Sequence, residues 1–452
     1  MVDYSEFIAQ KCRFTDSSGF SPSNLHGFLY DFQTKIVDWA LQKGKAAIFA
    51  DCGLGKTPMQ LSWADKVADH SGGNILILTP LAVARQTVGE GNKFGIDVTL
   101  SRDGNPSRIT VANYQMLHKF DHHDYAGIVL DESSILKNYS GSYRQAITEF
   151  MQHIPYRLLC TATPAPNDHM ELGTSSEALG VMRRVEMLST FFTHDSGSTQ
   201  SWVLKGHADK PFWKWMATWC RAIRKPSDIG CDDSRFVLPE LHIEQHTLPS
   251  DPLDGMLFAT EAVTLNDQRA ERRRTLDARC QQVADIANST GEPFLCWCSL
   301  NDESKLLTKL IPDAVEVCGS DSDDHKESAM HGFSDGDIRV LVSKPSIAGF
   351  GMNWQHCNAM SFFPSHSHEQ FYQAMRRCWR YGQEREVTCH IVTTEAEASV
   401  LANMQRKERM ANEMFTEIIA GMNGYQTEIS TAGTYCPQQK MEIPLWLRQN
   451  SK

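Results

Sequence analysis

The apolar run Ala46-Ala47-Ile48-Phe49 leads directly into Ala50-Asp51-Cys52-Gly53-Leu54-Gly55-Lys56-Thr57, and this junction constrains the fold more than any other stretch of the chain. A buried strand followed by a glycine turn that opens a helix makes a cradle for phosphate. Gly53 and Gly55 let the backbone turn tightly enough for several N–H groups to face one anion, and the helix adds its positive dipole end. Lys56 is then placed to reach the β- and γ-phosphates of a nucleotide, and Thr57 to reach a magnesium ion. The strict pattern has glycine where this chain has Ala50, so the neighbouring segments must decide.

Those segments alternate. Short apolar runs at 46–50, 75–79, 109–114, 127–131 and 157–163 are separated by longer amphipathic stretches, the pattern of a parallel sheet with crossover helices. A second series starts near Pro293, with runs at 294–299, 315–319, 339–343, 360–364 and 387–393. The chain therefore reads as two α/β units in tandem. The region between them, about 164–289, holds few β-type runs and carries Phe212-Trp213-Lys214-Trp215 and Trp219. It reads as helices packed against the first unit, ending in a crossing segment near Leu238-Pro239-Glu240-Leu241. The expected division is 1–240 for an N-terminal lobe with an appended helical region (core about 26–165), 241–420 for a C-terminal lobe, and 421–452 for a tail.

Composition narrows the class. At 452 residues, with 41% hydrophobic and 22% charged residues, the chain is long enough for two or three domains of ordinary globular character. No apolar run reaches bilayer-spanning length, and the first residues lack the layout of a secretory signal, which predicts a cytoplasmic protein without a membrane partner. The 13 cysteines are scattered, several in apolar runs such as those at Cys160, Cys296 and Cys389, and predict buried thiols rather than disulfides. Cys296 and Cys298 flank Trp297, yet no second pair follows at zinc-finger spacing. A net charge of −11 excludes a surface that attracts polyanions everywhere, though a locally basic cleft remains compatible with nucleic acid.

Three further constellations carry chemistry. The run Gly127-Ile128-Val129-Leu130 ends in Asp131-Glu132, delivering two carboxylates to the edge of the sheet that carries the phosphate loop. Asp131 suits magnesium, and Glu132 suits orienting and deprotonating a water molecule. The run from Arg157 ends in Thr161-Ala162-Thr163-Pro164, whose hydroxyls are candidates to couple the acidic pair to the γ-phosphate. In the second unit, the segment from His368 to Gln383 predicts a helix ending at Gly382, with Gln373, Arg377 and Arg380 on one face. Two guanidiniums so aligned suit charge developing on a transferred phosphoryl group. Upstream, the amide of Gln33 can both donate to and accept from an adenine edge.

Taken in order, these segments resemble the superfamily-two helicases and translocases, in particular the Swi/Snf-like branch, over most of the chain. Leu29-Tyr30-Asp31-Phe32-Gln33 resembles the adenine-reading motif, Ala50 to Thr57 motif I, and Thr79-Pro80-Leu81 motif Ia. Asp131-Glu132-Ser133-Ser134 with Lys137-Asn138 resembles motif II, and Thr161 to Pro164 motif III. Phe294 to Ser299 is similar to motif IV, Ala348-Gly349-Phe350-Gly351-Met352-Asn353 to motif V, and Gln373 to Gln383 to motif VI. The ending Arg380-Tyr381-Gly382-Gln383 favours this branch over the RNA-unwinding DEAD-box one. Departures from the pattern include Ser134 in place of histidine, Tyr30 in place of arginine and a short connector, which suits a compact bacterial or phage-type relative.

The resemblance implies two RecA-like parallel-sheet lobes with a helical connector and a C-terminal helical tail. It implies ATP and magnesium between the lobes, with Gln33, Gly53, Gly55, Lys56, Thr57 and Gly351 at the nucleotide and Thr57 and Asp131 at the metal. Lys56, Glu132, Arg377 and Arg380 would be catalytic; Thr161, Thr163 and Gln373 would couple the sites. Pro80, Arg85, Ser299, Lys344 and Gly349 are the implied DNA contacts. The expected activity is an ATP-dependent motor on double-stranded DNA. An RNA or single-strand helicase and a nucleotide-gated binding switch are the alternatives, and the apolar end Ile443 to Leu447 is a candidate dock for a protein partner.

Overall fold

The computed structural model describes residues 17–137, 141–195, 198–250, 264–349 and 352–431. The first lobe is built on β1 (Lys45–Ala50), β2 (Asn74–Thr79), β3 (Thr99–Leu100), β4 (Ile109–Asn113), β5 (Tyr125–Asp131) and β6 (Tyr156–Thr161). An antiparallel hairpin, β7 (Phe192–Asp195) and β8 (Ser198–Leu204), stands apart, and β9 (Cys220–Ile223) returns to the sheet. The order is β3-β4-β2-β5-β6-β1-β9, with every pairing parallel. Both faces are covered, which is why the strands read as continuous apolar runs. Ala47, Phe49, Leu76, Leu78 and Leu130 enter one core, and Ala46, Ile48, Ile75, Ile77 and Val129 enter the other.

The second lobe carries β10 (Leu241–Leu248), β11 (Phe294–Trp297), β12 (Ala314–Val317), β13 (Val340–Ser343), β14 (Ala359–Phe362) and β15 (Val387–Thr394). Their order is β10-β15-β14-β11-β13-β12, again all parallel. The same alternation fills its two cores: Leu295 and Trp297 face one, Phe294 and Cys296 the other.

The connector differs from a purely helical reading. Helices Leu172–Leu179, Arg184–Phe191 and Asp209–Trp219 do pack into the first lobe, where Trp213, Trp215 and Trp219 join its core. The chain then adds β9 beside β1, and from β10 onward it contributes to the second sheet, with helices Leu265–Arg274 and Leu276–Ser289 following. Four residues are too few to show a period, which hid β9. β10 lies at a sheet edge and alternates with polar residues, which hid it too.

The C-terminal helix Ala398–Thr431 spans 34 residues and ties the lobes together. Its first part buries Leu401 and Met404 in the second lobe. Farther along, Met414, Phe415, Ile418 and Met422 enter the core of the first lobe, against the tryptophan-bearing helix Asp209–Trp219. The apolar end Ile443 to Leu447 lies outside the described residues. No helix among the described residues is long and apolar enough to cross a membrane.

Ile418 is fully buried where the helix meets the first lobe. Ile418→Ala is expected to destabilise the protein by about 2–5 kcal/mol, measured as a lowered urea midpoint. A midpoint equal to that of the parent would show that the helix does not hold this position in solution.

Candidate active site

Strand register assembles the first half of the site. Phe49 pairs with Thr161 across β1 and β6, and Asp131 pairs with Cys160 across β5 and β6, so three neighbouring strands end at one level. Open parallel α/β sheets generally take ligands in the crevice at their carboxyl edge. Beyond Ala50 the chain turns through Gly53 (φ +87°) and Gly55 (φ +74°), conformations that need glycine, and enters the helix Lys56–Ser71. Space adds a second demand at Gly55, because a Cβ there would lie 2.3 Å from Nε2 of Gln33. That amide donates to the carbonyl of Leu54 at 2.9 Å while its Oε1 accepts from the N–H of Tyr30 at 2.9 Å, so Gln33 braces the loop.

Beside this loop Asp131 is buried and Glu132 half-buried. Oδ1 of Asp131 accepts from Nε2 of Gln60 at 2.7 Å, and its carbonyl accepts from the Tyr114 hydroxyl at 2.6 Å. Glu132 has φ +53°, an uncommon conformation for a side-chain-bearing residue and one that concentrates at functional sites. Oγ1 of Thr161 donates to its Oε2 at 3.2 Å and itself accepts from the N–H of Thr163 at 3.1 Å. Burial raises both carboxyl pKa values; the Gln60 bond and then Lys56 oppose this at Asp131, and Lys56 opposes it at Glu132. Burial also works against the charge of Lys56, yet Cys52 and the carboxylates of Glu132, Asp131 and Asp51 outweigh it and its pKa is raised. In this conformation Nζ of Lys56 donates to the carbonyl of Ala50 at 3.1 Å. Thr57 follows in the first helical turn, partly exposed.

The second lobe supplies the facing wall, with a correction. The helix His368–Met375 stops well short of Gly382, and the chain continues in turns. Arg377 N–H bonds to the carbonyl of Ala374 at 3.2 Å and Cys378 N–H to that of Met375 at 3.2 Å, a tighter pattern than the α-helix. The carbonyl of Arg377 is taken by the N–H of Trp354 at 3.0 Å. Gln373, Arg377 and Arg380 are therefore brought together by side-chain bonds rather than by helical spacing. Arg377 donates to Oε1 of Gln373 at 2.9 Å and to the carbonyl of Met352 at 3.1 Å, and Arg380 donates to Asn353.

The contacts that join the walls come largely from residues absent from the expected site. The Asp51 carboxylate, inside the glycine loop, accepts from the guanidinium of Arg376 and the hydroxyl of Tyr372. Asp51 and Arg376 are buried, at 5% and 4% exposed, and Tyr372 is half-buried. Burial alone would depress the pKa of Arg376, but Asp51 opposes it and the result is raised, so the guanidinium stays charged. Sγ of Cys52 lies 4.0 Å from Oε1 of Gln373. Glu369 accepts from Lys137 and, at 3.4 Å, from Oγ1 of Thr163. The ring of Tyr381 closes over Gly53, where a Cβ would approach it to 2.9 Å. An acidic residue in an anion-binding turn was the available signal for Asp51; Arg376 was visible only as part of a basic cluster.

A cleft of about 1120 Å³ opens between the lobes. Pro80 and Arg85 line it, and Arg85 reaches Glu327 of the second lobe at 2.7 Å. Ser299, Lys344 and Gly349 lie outside its lining: the N–H of Ser299 donates to Glu303 at 2.7 Å, while Lys344 and Gly349 bracket the short helix Pro345–Ala348. Gly351 lies outside the described residues. A second cavity of about 440 Å³ borders the glycine loop at Asp51 and is lined by Arg224, Phe236 and Tyr381, with Thr416 and Ile419 of the C-terminal helix.

Two parallel α/β lobes thus meet with a glycine loop on one and an arginine-bearing segment on the other. No protein-family model matches the chain. Among curated proteins it is 29% identical over 179 residues to the helicase SWR1 of Candida glabrata, covering 34% of this chain and 12% of that protein. It is 33% identical over 172 residues to the bifunctional helicase and thymine dioxygenase JBP2 of Leishmania braziliensis, covering 36% of this chain and 16% of that protein. The chain thus spans less than a fifth of either relative's length. Among solved structures, the SWI2/SNF2 ATPase core of Sulfolobus solfataricus in complex with dsDNA aligns over 91% of this chain and 97% of that one, with a TM-score of 0.41 and 17% identity. Over about a third of its length the chain is similar to parts of these two helicases, and each of its lobes is a parallel α/β sheet.

Removing one partner of a buried pair strands the other charge, so Asp51→Ala is expected to destabilise the closed arrangement by about 3–5 kcal/mol. The readout is a larger radius of gyration and faster amide exchange around Tyr372, with Asp51→Ala/Arg376→Met recovering most of the loss. An unchanged radius in Asp51→Ala would show that this pair does not hold the lobes together.

Proposed function

We propose that the chain is an ATP-hydrolysing motor that moves along double-stranded DNA. The observation that carries the proposal is that the glycine loop of one lobe meets the arginine-bearing segment of the other, Asp51 with Arg376 and Cys52 with Gln373, at the sheet edge where the strand bearing Asp131 also ends. The donor set fits the expected ligands. The Thr57 hydroxyl and Asp131 carboxylate are the hard oxygen donors that magnesium prefers. Among the described residues, Nε2 of Gln373 and Nε of Arg380 are buried without a hydrogen-bond partner, leaving N–H groups free for an anion.

On this proposal, backbone N–H groups around Gly53 and Gly55 cradle the phosphates, and Lys56 leaves the Ala50 carbonyl to reach the β/γ oxygens. Magnesium held by Thr57 and Asp131 would neutralise charge on those oxygens. Glu132 orients the attacking water and takes its proton, and its burial-raised pKa makes it a stronger base than an exposed glutamate. Arg377 and Arg380 stabilise negative charge on the transferred phosphoryl group, while Thr161, Thr163 and Gln373 relay the nucleotide state across the pocket. Pro80 and Arg85 at the cleft, with Ser299, Lys344 and Gly349 elsewhere on the second lobe, are the proposed DNA contacts. Alternate opening and closing of lobes that each hold the backbone then produces movement.

Duplex DNA is expected to stimulate ATP turnover more than single-stranded DNA or RNA does. Lys56→Ala and Glu132→Gln should lower turnover by about 10²–10⁴-fold. Arg377→Ala should retain ATP binding and lose about 10³-fold or more in kcat. ATP hydrolysis equally fast with and without nucleic acid would overturn the motor assignment, and preferential stimulation by RNA would move it to a different substrate.

A further inference from the structure

The edge of the second sheet carries a group of side chains that the nucleotide pocket does not use. β10 reads Leu241-His242-Ile243-Glu244-Gln245-His246-Thr247-Leu248, so Glu244 and His246 point to one face of the strand. Glu244 pairs in register with His390 of β15, which brings a third side chain to that face from the neighbouring strand. Their ligand-type atoms converge. Nε2 of His246 lies 3.1 Å from Nδ1 of His390, Nδ1 of His390 lies 3.1 Å from Oε2 of Glu244, and Nε2 of His246 lies 3.9 Å from the same oxygen.

We infer that Glu244, His246 and His390 form a site for a divalent transition metal, with zinc as the natural occupant, that pins the edge strand β10 to β15. The separations bracket the edge of a tetrahedron with metal–ligand bonds of about 2.0–2.1 Å, which is about 3.3 Å. Two imidazoles and a carboxylate are the donors such ions take, and they leave one position for water. The scaffold is rigid where it needs to be: two of the three ligands face each other across a paired ladder, and the His390 ring lies nearly parallel to that of Phe294, at 6.2 Å and 19°. Charged side chains on an edge strand also discourage edge-to-edge association, but that role does not require three donor atoms to converge on one point.

The neighbouring group Glu240, His242 and Glu386 provides an internal comparison. It has a single imidazole, which bonds to Glu386 at 3.0 Å, and its side chains are more exposed.

The test uses the full chain, stripped with a chelator and titrated with zinc chloride by calorimetry, with cobalt(II) as a visible-absorption probe of four-coordinate geometry. One equivalent is expected to bind, and a hundredfold excess over Kd should raise the melting temperature by roughly 5–10 °C. His246→Ala/His390→Ala should abolish that equivalent and the cobalt bands, while His242→Ala leaves both unchanged. Should the double variant fail to fold, Glu244→Gln keeps both imidazoles and is expected to weaken binding by at least about tenfold, the loss that even an outer-sphere partner produces. Absence of binding in the parent, parental affinity in the double variant or in Glu244→Gln, or equal loss in His242→Ala would each overturn the assignment.

Discussion

A carboxylate placed inside the glycine turn at the sheet edge is the constraint on which the closed form of this protein depends. Asp51 stands where the backbone is arranged to attract anions, and in this conformation it takes up the Arg376 guanidinium and the Tyr372 hydroxyl of the opposite lobe. Neither Asp51 nor Arg376 is tolerable alone at such burial, since an isolated ion in a low-dielectric pocket loses its hydration without compensation. Their pairing therefore makes lobe closure a condition for burying either one. On the proposed function, the incoming triphosphate brings its own negative charge to the same wall, so nucleotide and Asp51 compete for the same cations.

The C-terminal helix determines how the lobes can separate. Leu401 and Met404 sit in the core of the second lobe and Met414 to Met422 reach that of the first, so motion between the lobes must bend, slide or release the helix. Arg224 is the node of this arrangement. Its guanidinium lies 5.0 Å from the ring centre of Phe415 and donates to the carbonyl of Asn412 at 2.7 Å, while its own carbonyl accepts from the Tyr381 hydroxyl at 2.7 Å. Tyr381 in turn covers Gly53. A displacement at the glycine loop thus has a contiguous route through packed and hydrogen-bonded groups to a helix that spans both lobes, a route whose energetic coupling double-mutant cycles at Arg224 and Tyr381 measure.

What the sequence revealed follows from burial. Strands covered on both faces, such as β1, β2 and β5, must be continuously apolar, and they were legible as runs; the glycine turn and Asp131-Glu132 stood out because each directly follows such a run. Edge and short elements escape this logic. β10 is half exposed and alternates His and Glu, so its period was present but fell within the stretch read as helices and a crossing segment, and with it went the convergence of Glu244, His246 and His390. The arginine segment was legible in composition and misjudged in geometry: helical spacing groups Arg377 with Arg380, whereas turns after Met375 send Arg376 across the pocket to Asp51. Nothing local distinguishes these outcomes, because the acceptor that decides them lies more than 300 residues away in sequence.

The same competition recurs at the cleft. Besides Asp51 with Arg376, two carboxylates of the second lobe hold cations of the first: Glu369 takes Lys137, and Glu327 takes Arg85. In a chain of net charge −11, each such pair neutralises a positive group that a polyanion would otherwise attract over a distance. The pairs differ in depth. Arg85 and Glu327 are 61% and 46% exposed, so salt screens them and their exchange for a backbone phosphate costs little. Asp51 and Arg376 are almost fully enclosed, and exchange there requires the pocket to open. On the proposed function, nucleic acid can therefore engage the cleft rim while the lobes stay closed, whereas nucleotide entry demands separation, and this difference in burial orders the two events.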